Sequence, residues 1–400
     1  MYDLLVIGGG PAGSTCARRA AERGLDVALI ERCIHPRKKP CGGAISPRAI
    51  ELLRYDLSQI ARGEFHAARV HTPSGRTTVL TREGLTGLMI DRPTFDEFLL
   101  KKAIEAGVEV RQDTKIVGIE QLRKGVRALG VGDSYKAHLL VGADGVNGLS
   151  ARILGIRKRW QADNIAVCIN AEVPMKESEI ARIARVDDNP AQIALDLYFG
   201  LIDWGYGWCF PKTNTLNVGI GCRVEYARNL RNAWESIISH IERTKGISLD
   251  VSQRTSARVP IGGITGRVIA RRSMLIGDAA GLVSPISGEG ISYAIESGIL
   301  AADVAYEAVR DKSPVHIAEY DRRLKQGLNK ELDNLRQLAN ILYRSSKNIE
   351  LISKIASEDP VIGEYLIDVL ARVSPFSNLK RRIYRRMLTR HPLKTIKFDL

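Results

Sequence analysis

The sequence predicts an α/β fold: a nucleotide-binding domain built on a parallel sheet, an inserted domain of antiparallel sheet, and a helical C-terminal region. Three observations carry that prediction. A short apolar run at 2–7 passes through Gly8-Gly9-Gly10-Pro11-Ala12-Gly13 into a helical pattern, the strand–turn–helix arrangement of a dinucleotide site. Between roughly 160 and 255 the pattern changes to strands rich in Val, Ile, Tyr and Trp. Beyond 311, Leu324, Leu328, Leu332, Leu335, Leu338 and Leu342 recur at three- and four-residue steps, which marks one buried helix face.

Taken in order, residues 2–7 read as a buried strand ended by glycine, 11–23 as a helix and 26–30 as a second strand. Residues 36–47 form a basic loop rich in Gly and Pro. A helix is expected at 94–106, with Asp91 or Thr94 able to cap it. The runs 139–141 and 273–276 read as short apolar strands, each leading into glycine, and a helix is expected near 226–244. The expected domains are 1–58, 86–160 and 256–310 for nucleotide binding, and 59–85 and 161–255 for a substrate domain. Residues 311–400 form a C-terminal helical region with a basic tail.

Composition narrows the function classes. An apolar content of 44% over 400 residues supports a sizeable core and two or three domains. There is no run of eighteen apolar residues to span a membrane. The opening residues lack the basic start and small-residue cleavage site of a secretory signal, so a cytoplasmic location is expected. Cys16, Cys33, Cys41, Cys168, Cys209 and Cys222 are scattered without a CxxC pair, so neither a metal site nor a disulfide framework is expected. The net charge is +14, and eight Lys/Arg with no acid lie between Lys380 and Lys397. Without a zinc finger or an aromatic-interleaved basic groove, nucleic acid is not an expected partner.

The glycine turn has a division of labour. Gly8 makes the tight turn, Gly10 lets the backbone approach a pyrophosphate, and Gly13 lets helix and strand pack, with Ala12 between them. The helix start offers free N–H groups and positive potential to phosphate. Glu31, followed by Arg32, closes the second strand about twenty residues on, where a carboxylate can accept ribose hydroxyls. Two distant segments join this set: Gly142-Ala143-Asp144-Gly145, and Gly277-Asp278-Ala279-Ala280-Gly281 followed by Gly288-Glu289-Gly290-Ile291.

These three motifs in this order resemble the para-hydroxybenzoate hydroxylase-like flavoproteins. The resemblance implies a Rossmann-like FAD-binding domain in which Asp144 lies at the cofactor, Asp278 holds the ribityl chain, and the helix start at Gly288, Gly290 and Ile291 faces the flavin ring. N–H groups and a helix dipole there would stabilise negative charge on the reduced ring. Gly281 stands where hydroxylases of this group usually carry His, which resembles the geranylgeranyl reductases and the flavin halogenases instead.

The run Tyr206-Gly207-Trp208-Cys209-Phe210-Pro211-Lys212, then Asn217-Val218-Gly219-Ile220-Gly221, resembles the geranylgeranyl reductase signature, which lines that family's isoprenoid pocket. Lys39-Pro40-Cys41-Gly42-Gly43 is similar to that family's Lys-x-Cys-Gly segment at the active site, and Asp91-Arg92-Pro93-Thr94-Phe95-Asp96 to its Asp-Arg-x-x-Phe-Asp run. Gly148 replaces a common Ser, and Asp203-Trp204 replaces a common Pro-Gly. Tyr206, Trp208 and Phe210 alternate along a strand and so share one face, ended by Pro211. Cys41, in a glycine-rich loop beside Lys38 and Lys39, is a candidate reactive thiol.

The resemblance implies reduction of isolated C=C bonds in a prenylated lipid, with hydride from reduced FAD and a proton from Tyr206, Cys41 or a water. Trp208 would line the reacting centre. A halogenase, a monooxygenase and a non-catalytic electron-transfer flavoprotein remain alternatives. With a single dinucleotide turn in the sequence, the electron donor is expected to be NADPH binding transiently or a protein such as ferredoxin. Leu379, Ile383, Met387 and Leu388, with Arg and Lys around them, form an apolar helix face suited to peripheral attachment at the cytoplasmic side of a membrane.

Overall fold

The computed structural model describes residues 1–186, 189–395 and 397–399, and the expected α/β architecture is present. Residues 1–39, 92–164 and 259–333 form one unit, and residues 40–91, 165–258 and 334–400 form the other.

In the first unit the strand Tyr2–Ile7 runs parallel to Val27–Ile30 on one side and to Ser134–Gly142 on the other. Ser273–Leu275 extends the parallel sheet beyond Ser134–Gly142, and Glu109–Arg111 beyond Val27–Ile30. A hairpin, Ile116–Leu122 with Gly125–Gly130, adds antiparallel strands. Leu4, Leu5 and Val6 are fully buried, as expected of a parallel strand covered on both faces. The helices Pro11–Glu22 and Ile291–Arg310 pack closely because position 298 is glycine. A Cβ there would lie 2.6 Å from the Ala12 carbonyl oxygen.

In the second unit eight strands form one sheet, seven of them in the order Arg254–Val259, Ala166–Pro174, Thr215–Arg223, Gly205–Pro211, Asn189–Phe199, Ala67–His71 and Thr77–Thr81. Strand alternation gives this sheet two different faces. Tyr198, Cys209, Val218 and Ile220 pack with Trp234, Ile237 and Ile241 of the helix Leu230–Lys245. The helix begins at 230 because 224–229 is a tighter 3₁₀ turn. The opposite face carries the aromatic signature. A small sheet of Ala44–Ile45, Gly87–Ile90 and Ala61–Phe65 completes this unit's strands, with Arg185–Val186 paired to Asn189–Phe199.

Two expectations are corrected. The leucine face holds through Leu324, Leu328, Leu332 and Leu335, but then Ala339 and Tyr343 are buried instead of Leu338 and Leu342. Two four-residue steps lead there from Leu335, where the expected repeat takes a step of three and then one of four, and a π-turn over 325–329 adjusts the phase upstream. The helix Phe376–Arg390 does not hold a free apolar face of the expected composition. Leu379 and Ile383 are buried in the protein, whereas Tyr384 and Leu388 are exposed. Among the described residues, no helix is long and apolar enough to cross a membrane.

Candidate active site

In the first unit, three glycine motifs end three parallel strands at one edge of the sheet. Gly8 has φ +108°, and a Cβ there would overlap the Ala143 carbonyl, so the first motif closes on the second. Gly277 has φ +54°, and a Cβ there would come 2.9 Å from Ala12, so the third motif closes on the first. The strand ends of a parallel sheet are where such folds bind their ligands. The helix Pro11–Glu22 starts at Gly10 with no side-chain cap and no acid in its first turn, which leaves its N-terminal potential for an anion.

Glu31 is buried and braces the turn: Gly9 N–H donates to its Oε2 at 2.6 Å and Cys33 N–H to its Oε1 at 3.0 Å. Its remaining lone pairs are the acceptors a ribose would use. Arg32 beside it is exposed. The neighbour that sequence reasoning missed is Arg37. Its Nη2 would be 3.4 Å from a Cβ at Gly10, and it pairs with the fully buried Asp96 at 3.2 Å. Arg92 holds the same carboxylate with two bonds of 2.8 and 2.9 Å. The signal was present in the basic loop and the Asp-Arg-x-x-Phe-Asp run, but their meeting at Asp96 is tertiary.

Asp144 Oδ2 accepts from Leu149 N–H at 2.7 Å and Ser150 N–H at 2.8 Å. The replacement of Ser by Gly148 follows from this, because a Cβ at 148 would overlap that carboxylate. Arg157 lies 3.3 Å over the Trp160 ring and donates to the Ala279 carbonyl at 2.7 Å, pinning the turn that carries Asp278. Burial pulls the Arg157 guanidinium down to about 10, with Asp144 acting in the opposite direction. Gly281 has φ +89° and faces the Gly263 carbonyl, 2.7 Å from where a Cβ would be. A His there would be strained.

Gly290 lies next to Asp278 and opens the helix Ile291–Arg310. Gly288, exposed and at φ +66°, precedes it. Glu289 caps that helix by accepting from Ser292 N–H at 2.8 Å and Ser292 Oγ–H at 2.7 Å. Two features test the fit to FAD. The glycine at position 10 leaves the backbone bare where a pyrophosphate must approach, with Arg37 Nη2 3.4 Å from where a Cβ would stand. Asp144 Oδ1, Thr15 Oγ1 and both ring nitrogens of His35 are buried without a hydrogen-bond partner among the described residues. The residues present fit the cofactor.

In the second unit, the aromatic face is built by register. Tyr206 pairs with Gly221, Trp208 with Gly219 and Phe210 with Asn217. Across the next strand, Gly221 pairs with Cys168, Gly219 with Asn170 and Asn217 with Glu172. The two glycines are required: a Cβ at 219 would overlap the Trp208 ring, and one at 221 would reach Cys168 Sγ at 2.5 Å. The result is a low floor beside an aromatic wall.

The wall is longer than the motif. Phe210, Trp208, Tyr206 and Phe199 follow one another at ring-centroid separations of 6.3, 6.0 and 5.6 Å. Tyr343 follows at 6.1 Å from Phe199, and Trp204 at 5.9 Å from Tyr343. Trp204 adopts φ +50°, with Arg223 stacked 4.1 Å from its ring. Sequence reasoning missed Tyr343, because the leucine repeat around it masked its place in the helical period.

The Cys41 loop lies on this face. Asn217 Nδ2 donates to the Cys41 carbonyl at 3.2 Å, and a Cβ at Gly42 would stand 3.0 Å from the Phe210 ring. Gly43 has φ +85°, and a Cβ there would overlap the Ile90 carbonyl. Pro211 is buried where the strand ends. Burial raises the Tyr206 hydroxyl above its usual range, with Cys168 and Cys41 adding to the effect. Burial also pushes the Cys168 thiol up to about 12, helped by Cys222 and Cys41. Among the described residues no cluster of three or more His, Cys, Asp or Glu is placed to hold a metal ion.

Residues 1–323 match the FAD binding domain family. A digeranylgeranylglycerophospholipid reductase from Methanosphaera stadtmanae is 30% identical over 403 residues, covering 95% of this chain and 98% of its own length. One from Methanocaldococcus jannaschii is 27% identical over 399 residues, covering 92% and 98%. The crystal structure of a geranylgeranyl bacteriochlorophyll reductase-like protein from Thermoplasma acidophilum has a TM-score of 0.80 at 26% identity, covering 95% and 98%. A flavin-dependent brominase at 20% identity and a TM-score of 0.74 shares the fold.

Proposed function

The chain belongs to the FAD-binding domain family and, within it, to the digeranylgeranylglycerophospholipid reductases, and from that membership we propose that it is an FAD-dependent oxidoreductase saturating C=C bonds in the geranylgeranyl chains of a membrane glycerophospholipid. The observation that carries the reading is the aromatic wall over a glycine floor. An isolated alkene has no carbonyl to activate it, so catalysis depends on holding a long apolar chain in one orientation. When bound, FAD supplies the hydride. Tyr206, Trp208 and Phe210 offer the chain an apolar surface, and their ring faces favour the positive charge that develops on the alkene carbon receiving no proton. Tyr206, kept protonated by burial, and Cys41 are the two candidate proton donors on this face. Pro211 and the Cys41–Gly43 loop bound the same face.

The finer partners belong to the same proposal. Electrons come from NADPH or a protein such as ferredoxin. The protein attaches peripherally to the membrane that holds its substrate, through the exposed Tyr384, Leu388 and Leu393 and the basic residues around them.

The test is anaerobic. Reduce the bound flavin with dithionite, then add geranylgeranylglyceryl phosphate or geranylgeranyl diphosphate. The expected result is flavin reoxidation with products heavier by two hydrogens per step. A flavin that stays reduced with every prenyl lipid would overturn the reaction. Oxygen uptake coupled to product would point to a halogenase or monooxygenase instead.

A further inference from the structure

We propose that Asn217 is a positioning residue that locks the Cys41 loop to the Trp208 ring, so that loop and wall move as one piece. The proposal rests on the reading of the aromatic face as the chamber for the prenyl chain. Asn217 is fully buried, and its carboxamide is used on both sides. Its Oδ1 accepts the Trp208 indole N–H at 2.6 Å. Its Nδ2 donates to the Cys41 carbonyl at 3.2 Å and to Glu172 Oε1 at 2.7 Å.

The chemistry of these partners fixes the amide in one orientation. An indole nitrogen only donates, and a carbonyl or carboxylate only accepts. A flipped amide would set donor against donor and acceptor against acceptor. Leucine would fill the same volume but leave a buried indole N–H unpaired, and aspartate would set a negative charge against Glu172 and the Cys41 carbonyl.

The lock is itself anchored. Glu172 Oε1 also accepts from Lys212 Nζ at 2.6 Å, and the same ammonium donates to Asp91 Oδ1 at 2.8 Å. Arg62 holds the other Asp91 oxygen at 2.8 Å. Lys212 is 4% exposed, and Gly43 lies against its side chain, 3.1 Å from Cε to where a Cβ would be. Burial alone would lower the pKa of this lysine, but its two carboxylate partners hold it above the usual value. Of this network only Lys212 is buried, while Glu172, Asp91 and Arg62 reach solvent, so it contributes little net stability. Here its members converge on two segments in contact, Cys41–Gly43 and Trp208–Phe210, where a Cβ at Gly42 would stand 3.0 Å from the Phe210 ring.

The test needs no turnover. The FAD-loaded protein is treated with iodoacetamide, and alkylation of Cys41 is followed by peptide mass spectrometry alongside flavin absorbance and Tm. In N217L, Cys41 is expected to react about tenfold faster as one anchoring bond is lost. Where prenyl turnover is present, its kcat should fall about a hundredfold with little change in KM. E172A should also speed alkylation, and E172Q, which keeps an acceptor oxygen, should restore the slow rate. Wild-type alkylation in a folded, FAD-containing N217L would overturn the proposal. If N217L does not fold, equal rates in E172A and wild type would do so. Fast alkylation in N217L from a protein that reduces no prenyl lipid would support the lock while removing the reaction assigned to the chamber.

Discussion

Tyr206 and Gly43 show how much chemistry single positions hold. Burial raises the Tyr206 hydroxyl, so it carries its proton through the physiological range, and a proton it gave to the alkene would have to be replaced before the phenolate left behind could act again. Y206F should therefore lower kcat about a hundredfold, the scale of a lost general acid, while leaving bound FAD unchanged. The wild-type kcat should show no ionisation from Tyr206 between pH 7 and about 10, its unperturbed value. Full turnover in Y206F would move the donor role to Cys41. Gly43 makes a different demand. Its φ of +85° and its closeness to the Ile90 carbonyl leave no place for a methyl group. G43A should cost at least about 1 kcal/mol and displace the Cys41 loop. It is expected to abolish turnover while retaining flavin, and equal activity in G43A would show that the loop is not needed for the reaction.

Among the elements, the helix Leu230–Lys245 is held to the sheet by apolar packing and by one fully buried carboxylate. Asp196 meets Arg69 Nε at 3.0 Å, His71 Nε2 at 2.7 Å and Lys245 Nζ at 2.9 Å. Desolvation pushes its pKa up, but the His71 hydrogen bond and the Lys245 and Arg69 charges win and hold it below the usual carboxylate range. A group depressed on folding stabilises the fold above its unfolded value of about 3.9 and loses that contribution as pH falls through the folded value. D196A leaves two half-buried cations without their carboxylate and should cost up to about 3 kcal/mol at pH 7. Urea titrations should find the gap between wild type and D196A narrowing below pH 4, and a constant gap would refute the linkage. This network was not legible in the sequence, because its four members are 69, 71, 196 and 245, and only strand pairing and the packing of the helix on the sheet bring them together. The glycine strands were legible because each motif encodes its own turn. The aromatic strand was legible because its alternation is local. Tyr343 and Arg37 were not, since each acquires its place from a partner far away in the chain.

For the whole molecule, charge is the property that separates one end of the chain from the rest. Eight of the +14 charges lie between Lys380 and Lys397. Leu379 and Ile383 are buried, so deleting the helix Phe376–Arg390 would open the second unit as well as remove the charge. Substitution is the cleaner test. Arg381, Arg382 and Arg385 are exposed on that helix, near Tyr384 and Leu388. Basic residues near an anionic bilayer contribute about 1 kcal/mol each, within a Debye length of about 8 Å at physiological salt. Replacing all three with Glu reverses their sign and should reduce binding to anionic vesicles at least a hundredfold at low salt. At about 1 M salt, where the Debye length is about 3 Å, wild type and variant should converge on the weak apolar binding left to Leu388 and Leu393. Turnover of a dispersed prenyl lipid in detergent should be equal in the two proteins, because none of these arginines belongs to the aromatic wall. A variant that binds vesicles as well as wild type would assign the basic helix to solubility and move the membrane contact elsewhere. A variant that loses activity in detergent as well would tie the helix to the fold of the second unit rather than to the bilayer.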